Sequence, residues 1–378
     1  MGSRPATTTI VDVTASEKNA RIVVAGAGMA GVETALALRA FAGDRVHVNL
    51  VDPGRHFRIP ATATGRAFGV GRESERLLAE VALRAGAALT PGRVTAVDPR
   101  RHRAMLAGGR RLAYDALVVA IGASIEPSVP GALHFTGHDD VAAVRAMVDE
   151  IAAGGARGAA TRLAIVVPEG SGWPLAAYEL ALMAHEHLLA ADAAEVVRID
   201  VVTAEQTPLA VFGPDASASV ARMLGRAGIS VHTGSRVGHW SRGRLEIDGR
   251  DALAADRVIA LPVQRGPALE GLPSDARGFI QAADDGAVPG CPDVWAVGDG
   301  STFPLKQGGI ACRQADAVAS VIARAAGADV DQVPFLHPAL RGWWPVAKVA
   351  GRFISPFLAS WPSGDIPALG RETVRRAS

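Results

Sequence analysis

The chain has 378 residues, 49% of them hydrophobic and 20% charged, with a formal net charge of +1. This length allows two domains with a large core, and the near-zero charge gives no electrostatic basis for binding nucleic acid. The only cysteines, Cys291 and Cys312, form no C-x-x-C pair, so the sequence excludes a dithiol redox centre and predicts no metal site. Sparse cysteine is typical of a reducing cytoplasm, where we expect the protein.

Residues 1–20 are polar and rich in Thr and Ala. They lack the apolar segment of a signal peptide, so we predict a disordered lead-in. Ala6 stands where a myristoylation signal has Ser or Thr. The sequence contains no run of about 18 apolar residues, and we therefore expect no membrane-spanning helix.

The first predicted element is an apolar strand at residues 21–25, which three glycines follow in the spacing G-x-G-x-x-G. A helical pattern starts at once, and the next strand ends on an acid about twenty residues after the last glycine. The glycines allow a tight turn, an approach of backbone to phosphate and close helix–strand packing. The helix N-terminus offers N–H groups to phosphates, and the acid suits a ribose. The segment predicts a dinucleotide site formed by Gly26, Gly28, Gly31 and Asp52.

Two later segments favour FAD as that dinucleotide. The stretch “YDALVVAIGAS”, residues 114–124, is an apolar strand ending in a small-residue turn. A second strand ends at Gly298-Asp299, and a Gly-Gly turn at residues 308–309 then opens a helix. An Asp at a strand end suits a ribityl hydroxyl, and the positive end of a helix suits an electron-rich ring.

These three segments resemble the flavin motifs of the two-dinucleotide-binding-domain flavoproteins, the pyridine nucleotide–disulfide oxidoreductase superfamily. “VDPGRHFRIPATATGRAFGVG” and the glycine-rich segment around residues 294–318 are most similar to its sulfide:quinone reductase, flavocytochrome c sulfide dehydrogenase and type 2 NADH dehydrogenase branch. The resemblance implies an α/β fold with two Rossmann-like three-layer (ββα sandwich) domains, and FAD as cofactor. Beyond the first loop, it assigns FAD contacts to Val94, Ala120, Gly122, Gly298, Asp299, Lys306, Gln307 and Gly308.

The family order predicts that the second domain is inserted in the first. We expect a flavin-binding domain at residues 21–145 and 263–328, an NAD(P)-binding-like domain at 146–262, and a short C-terminal region at 329–378. Those last residues are too few for the dimerisation domain of the disulfide reductases.

The second glycine loop, in “VPEGSGWPLAAYELALMAHE” at residues 167–186, departs from the family pattern. Aligning Glu179 with the acid of a G-x-G-x-x-G-x-E loop puts Gly172, Pro174 and Ala177 at the glycine positions. Pro174 has no N–H to give a phosphate. Glu205, at the end of the next strand, is either a ribose ligand or a solvated acid. Three interpretations stay open: altered NAD(P)H binding, a blocked site whose Trp173 shields the flavin or lines another pocket, and a purely structural loop.

Three side chains are our candidates for catalysis: Glu179, Lys306 and Trp173. In relatives the acid matching Glu179 lies near the flavin, where burial would raise its pKa and let it relay a proton. Lys306 would stabilise negative charge on the flavin. The alternatives are a helix carboxylate bonded to a backbone or basic group for Glu179, and an exposed loop lysine for Lys306. Both cysteines are expected to be structural, which argues against persulfide chemistry.

The sequence therefore predicts an FAD-dependent oxidoreductase that passes two electrons from a reduced donor, by family default NAD(P)H, to an acceptor such as a quinone. Two alternatives remain: oxidation of a small organic substrate beside a degenerate NAD(P) site, and a flavin-binding regulatory protein with little turnover.

The aromatic tail contains Trp343, Trp344, Phe357 and Trp361 with Lys348 and Arg352 between them. It suits packing over the flavin domain, peripheral contact with the inner face of a membrane, or a homo-oligomer interface. The expected partners are small molecules.

Overall fold

The computed structural model describes residues 19–70 and 75–335. The first strand already includes Ala20, the last residue of the predicted lead-in. Residues 1–18 of that lead-in and the aromatic tail lie outside the described residues. Within the described ranges no helix is long and apolar enough to cross a membrane.

The strands, in chain order, are β1 (Ala20–Ala25), β2 (Val46–Asp52), β3 (His56–Phe57), β4 (Arg76–Leu77), β5 (Ala88–Pro91), β6 (Val94–Asp98), β7 (Arg103–Leu106), β8 (Arg111–Ala113), β9 (Ala116–Val119), β10 (Ser124–Glu126), β11 (Leu133–His134), β12 (Thr161–Val167), β13 (Val197–Thr203), β14 (Ser230–His232), β15 (Val237–Ser241), β16 (Arg244–Ile247), β17 (Leu253–Ala254), β18 (Arg257–Ala260), β19 (Val263–Arg265) and β20 (Val294–Ala296).

The α-helices are α1 (Met29–Ala42), α2 (Ala63–Ala67), α3 (Leu78–Arg84), α4 (Val141–Gly155), α5 (Leu175–Ala190), α6 (Pro214–Arg226) and α7 (Gly308–Ala325).

The first domain is built on a parallel sheet in the order β20-β9-β1-β2-β5. Its strands are apolar on both faces because both faces are covered. One face packs on α1, α3 and α7 through a cluster that includes Val24 and Leu38. The other packs on the antiparallel sheet β6-β7-β8 through a cluster that includes Val23 and Leu106. These layers form the predicted ββα sandwich.

The second domain repeats this architecture. Its parallel sheet has the order β11-β18-β12-β13-β14. Helices α4, α5 and α6 cover one face through a cluster that includes Ile165 and Leu180. The antiparallel sheet β15-β16-β17 covers the other face through Val166 and Leu245, among others. The two sandwiches confirm the predicted α/β fold class.

The chain passes between the domains along β10 and β19, which pair antiparallel. The border predicted at residue 145 falls inside α4, and β11, before it, already pairs with β18 of the second sheet. The insertion therefore begins after β10 and not at residue 146. The sequence did not show this because β11 has only two residues and no periodicity of its own.

Candidate functional site

Two glycines of the first loop are required by close packing. A Cβ on Gly26, whose φ is +99°, would lie 2.4 Å from the carbonyl oxygen of Ala120. A Cβ on Gly31 would lie 1.9 Å from the carbonyl oxygen of Gly26. Any side chain at either position would therefore push β1, β9 and α1 apart.

Gly28 faces open space instead, since a Cβ built there would meet no atom within 4 Å. It caps α1, and the N–H groups of Gly28, Met29 and Ala30 make no hydrogen bond within the described ranges. Unpaired N–H groups at the positive end of a 14-residue helix are what a pyrophosphate requires. The loop therefore fits the phosphates of FAD.

The Asp52 carboxylate holds this loop in place. One oxygen accepts the N–H of Ala27 at 2.8 Å, and the other accepts the N–H of Gly54 at 2.7 Å. Each oxygen keeps a second lone pair that a ribose hydroxyl could use. The ribose contact stays a prediction, and the observed bonds add a structural role.

Ala120 and Gly122 lie at the same sheet edge as the loop. The Ala120 N–H donates to Ala25 O at 2.7 Å, and a Cβ on Gly122, at φ +72°, would meet open space. Val94 lies in the apolar core between the two sheets of the first domain and is 5% exposed. Its contact with adenine stays a prediction.

The strand β20 ends in a tight turn at Gly298–Gly300. The Gly298 N–H donates to the buried Gln314 Oε1 at 2.8 Å, which ties the turn to α7. Burial raises the pKa of Asp299 to about 6, and the nearby Lys306 opposes that rise. Asp299 therefore presents a partly desolvated carboxyl at the carboxyl edge of the sheet, and its contact with the ribityl chain stays a prediction.

Lys306 is buried and only 6% exposed, so the structure rules out the alternative of an exposed loop lysine. Its Nζ donates to the carbonyl oxygens of Ser301 and Phe303 and lies 4.2 Å from the centroid of the Phe279 ring. Burial lowers its pKa to about 8, although Asp299 favours the charged form.

The first turn of α7 approaches the first turn of α1. The Gln307 Oε1 accepts the Ile310 N–H at 3.1 Å and caps α7. A Cβ on Gly308 would lie 3.5 Å from the Met29 side chain. Two helix N-termini therefore converge near one point, one suited to phosphates and the other to the electron-rich end of a ring.

The altered loop of the second domain packs against the first domain. The Gly172 N–H donates to Gln264 Oε1 at 3.0 Å, and the Lys306 N–H donates to Gly172 O at 3.1 Å. A Cβ on Gly172 would lie 2.1 Å from that Gln264 oxygen. Pro174 caps α5 without an N–H, and Trp173 is half-buried against a core cluster to which both domains contribute. Gly172, at the first glycine position of this loop, is thus a contact between the two domains.

Glu205 is not simply solvated, because one of its carboxylate oxygens is bonded inside the second domain. Its Oε2 accepts the Tyr178 hydroxyl at 2.6 Å and the Thr203 hydroxyl at 3.2 Å. Burial raises the pKa of Glu205, and these hydroxyls oppose the rise. The acid at the end of β13 is therefore part of an internal network.

The family model described as pyridine nucleotide-disulphide oxidoreductase matches residues 16–318. The chain belongs to this family. In line with it, the protein is an FAD-dependent oxidoreductase. An NADH dehydrogenase-like protein of Mycobacterium tuberculosis (strain ATCC 25618 / H37Rv) is 30% identical over 300 residues, 74% of this chain and 72% of that protein.

Two solved structures share the fold. The sulfide:quinone oxidoreductase from Aquifex aeolicus has a TM-score of 0.72 at 18% identity, covering 81% of this chain and 77% of its own. A ferredoxin reductase from Rhodopseudomonas palustris has a TM-score of 0.60 at 20% identity, covering 84% and 78%. At these identities the likeness shows the fold alone.

Glu179 of this oxidoreductase is buried in α5, and its Oε2 accepts the Thr64 hydroxyl at 3.1 Å. Burial raises its pKa to about 7, and the Thr64 bond opposes the rise. The observed partner is a hydroxyl of the other domain and not the backbone or basic group of the alternative. A carboxyl that titrates near neutral pH is suited to proton transfer.

The cysteines occupy packing positions. Cys312 is fully buried in α7 and its Sγ lies 3.9 Å from Met29 O. Cys291 is half-buried beside the core of the first domain, and burial raises the pKa of its thiol. A raised pKa disfavours the thiolate that nucleophilic chemistry needs.

Sequence reasoning missed Gln264, Arg277, Phe279 and Thr64, which join the two domains around Gly172, Lys306 and Glu179. None of them belongs to a recognisable motif. The contacts Gly172–Gln264 and Thr64–Glu179 span 92 and 115 residues, so no local pattern could have revealed them.

Proposed function

We propose that the protein oxidises a small reduced organic molecule and passes two electrons to an acceptor such as a quinone, without docking a nicotinamide dinucleotide on its second glycine loop. The observation that carries this proposal is the hydrogen bond from Gly172 N–H to Gln264. In a dinucleotide loop the position aligned with Pro174, two residues later, must leave its backbone open to a pyrophosphate, and this bond holds the Pro174 loop against the first domain.

The two loops of the chain offer a direct comparison. In the first, three successive N–H groups at the start of α1 are unpaired within the described ranges. In the second, the N–H groups of Ser171 and Gly172 donate to Pro168 O and Gln264, and Pro174 has none. The acid that would hold a ribose, Glu205, is bonded to Tyr178. The second loop therefore offers a phosphate fewer free N–H groups at Ser171, Gly172 and Pro174 than the first loop offers at its glycines, and one oxygen of its candidate ribose acid is already engaged.

FAD, when bound, supplies the capacity to take two electrons from one substrate and give them to another. In this proposal Gly28 and the first turn of α1 bind its phosphates, while Asp52 and Asp299 hold the ribose and ribityl hydroxyls. Lys306 and the N-terminus of α7 place positive charge beside the ring, which favours the addition of electrons.

Glu179 is the proposed proton carrier. With a pKa of about 7, its Oε1 or Oε2 can accept a proton from a donor and release it at neutral pH. The side chain of Trp173, just before the same helix, is half-buried against the core. The bond from Thr64 fixes the carboxyl across the domain border.

A second candidate function is the transfer of electrons from NAD(P)H to a quinone. The name of the 30%-identical mycobacterial relative, NADH dehydrogenase-like protein, favours it. It would require that the nucleotide bind without the usual loop donors, or that the loop leave Gln264.

The test is anaerobic flavin reduction. The purified protein is mixed with NADH and then with NADPH while the flavin absorbance is followed, and dithionite serves as the positive control. Under the proposal neither nucleotide bleaches the flavin rapidly and dithionite does. Rapid bleaching by either nucleotide would refute the proposed donor class and establish the second candidate.

The variant Gln264→Leu sharpens the test, because it frees the Gly172 N–H without touching the first loop. If the hydrogen bond is what blocks the loop, this variant should be reduced by NADH faster than the wild type. A variant at an exposed position of the second domain, Glu186→Gln, provides the control.

A further inference from the structure

Arg277 connects three parts of the molecule that the motifs treat separately. Its Nη2 donates to Gly170 O at 3.0 Å, in the altered loop, and to Gln264 O at 2.8 Å, in the crossing strand β19. Its guanidinium lies 5.3 Å from the centroid of the Phe279 ring. One side chain therefore ties the second domain, the crossing and the first domain together.

The surrounding backbone leaves space for the Arg277 side chain and fixes the turn that carries it. Gly170 has a φ of +85°, and a Cβ on it would lie 2.9 Å from Arg277 Nη2. The Asp275 carboxylate accepts the N–H groups of Arg277 and Phe279, both at 2.9 Å, which fixes the turn that presents them. The arginine is half-buried, so its two bonds are partly shielded from water.

Arg277 shares the Phe279 ring with Lys306. The Lys306 Nζ lies 4.2 Å from the same centroid, and the charge of Arg277 is one of the groups that lower the pKa of Lys306. The Lys306 N–H also donates to Gly172 O, two residues after the carbonyl that Arg277 holds. Arg277 and Lys306 thus both donate hydrogen bonds to the same loop, and the charge of Arg277 disfavours the charged form of Lys306.

We infer that Arg277 is a positioning residue that fixes the loop at residues 168–174 relative to Lys306. It thereby limits the motion of that loop and raises the reduction potential of the flavin. The part concerning the potential rests on the proposed placement of Lys306 beside the flavin. The part concerning the loop does not, and it holds for either class of donor.

Three variants separate charge from geometry. Arg277→Gln removes both, and Arg277→Lys keeps the charge but loses the guanidinium that reaches two carbonyl oxygens at once. Arg257→Gln is the matched control, because Arg257 pairs with Glu150 at 2.9 Å on the surface of the second domain. Lys306→Met reports on the proposed flavin site itself.

Two readouts are taken on the flavin-loaded protein: hydrogen exchange of the backbone amides of residues 169–173, and the two-electron midpoint potential at pH 7. Arg277→Gln should speed exchange in the loop about tenfold. It should also weaken flavin reduction about tenfold, a fall of about 30 mV, because a positive charge near the ring is lost. Arg277→Lys should speed exchange as well but keep a potential close to the wild type.

The outcomes are distinct. Loop exchange in Arg277→Gln and Arg277→Lys equal to that of the Arg257→Gln control would overturn the inference. A potential that shifts in Lys306→Met but not in Arg277→Gln would also overturn it, while the proposed flavin site stands. An unchanged potential in Lys306→Met would overturn the proposed site, and with it the claim about the potential. If Arg277→Gln does not fold, Arg277→Lys alone decides the role of Arg277 in the loop.

Discussion

Replacing Glu33 with Gln should make the protein more resistant to unfolding at pH 8 while leaving it little changed at pH 5. Glu33 lies in α1, is 0% exposed and faces Asp316 of α7, which is 8% exposed. Neither oxygen of Glu33 has a well-formed hydrogen bond within the described ranges. Burial, and secondarily the charge of Asp316, raises the pKa of Glu33 to about 10 from a usual value of 4.5.

The sign of the effect follows from where the proton is held. Above pH 4.5 the unfolded chain releases the Glu33 proton, while the folded chain keeps it until the pH approaches 10. The stability that this proton confers is complete below pH 4.5 and is lost as the pH rises.

The magnitude follows from the proton difference between the two states. One proton changes the free energy of unfolding by about 1.4 kcal/mol per pH unit, so the limit between pH 5 and pH 8 is about 4 kcal/mol. Water entry and relaxation around an ionised group reduce this figure, and we expect a loss of about 2 kcal/mol. Glu33→Gln should remove that loss, because an amide does not titrate.

The assay is denaturant unfolding of the wild type and Glu33→Gln at pH 5, 6, 7 and 8 with saturating flavin. The control is Glu80→Gln, an exposed glutamate of α3. The two stability curves should diverge as the pH rises. Curves that stay parallel, with Glu33→Gln no different from Glu80→Gln, would refute the argument that Glu33 is protonated in the folded state.

Three further predictions concern the site and the crossing. Gly28→Ala should fold with a stability within about 0.5 kcal/mol of the wild type but bind flavin weakly, because its Cβ would enter only the open space expected to hold the phosphates. Gly31→Ala should fail to fold, because its Cβ would lie 1.9 Å from Gly26 O. Circular dichroism measures folding and flavin absorbance measures binding, so together they separate the two outcomes. Glu179→Gln should abolish an inflection near pH 7 in the rate of flavin reduction, measured by stopped flow. The His134 Nε2 accepts the N–H groups of Ser128 and Val129 at 2.9 and 3.1 Å, and burial lowers the pKa of His134. The stability that neutral His134 contributes should therefore be lost as the pH falls below 6.5. His134→Gln should reduce the loss of stability at acidic pH, measured by unfolding across the pH range.

The flavin-binding domain could be predicted from sequence because its motifs encode local geometry. Gly26 and Gly31 lie where another backbone segment is too close for a Cβ, and Gly28 lies where a Cβ would meet open space. Those requirements act within one strand, one turn and one helix, so the spacing alone reports them. Asp299, in the turn after β20, and Gly308, the first residue of α7, could be predicted for the same reason, because each belongs to a short segment whose spacing reports its local geometry.

The partners of the second loop could not be predicted, because they come from another domain. Gln264 reaches Gly172 across 92 residues, and Arg277 reaches Gly170 across 107. The presence of Pro174 showed that the loop departs from the family pattern, but it could not show which residues contact the loop. For the same reason Glu205 had two interpretations from sequence, and both missed its bond to Tyr178.

The position of Gln264 links the altered loop to the strands that connect the two domains. Gln264 lies on β19, the strand by which the chain returns to the first domain, and that strand is paired with the outgoing β10. Its side chain holds Gly172, while its carbonyl oxygen accepts the bond from Arg277. The loop is therefore bonded to the crossing strand, and under the proposed function a dinucleotide could enter only if the bond from Gly172 to Gln264 broke. A small donor needs no such opening, which is the physical reason to look for one first.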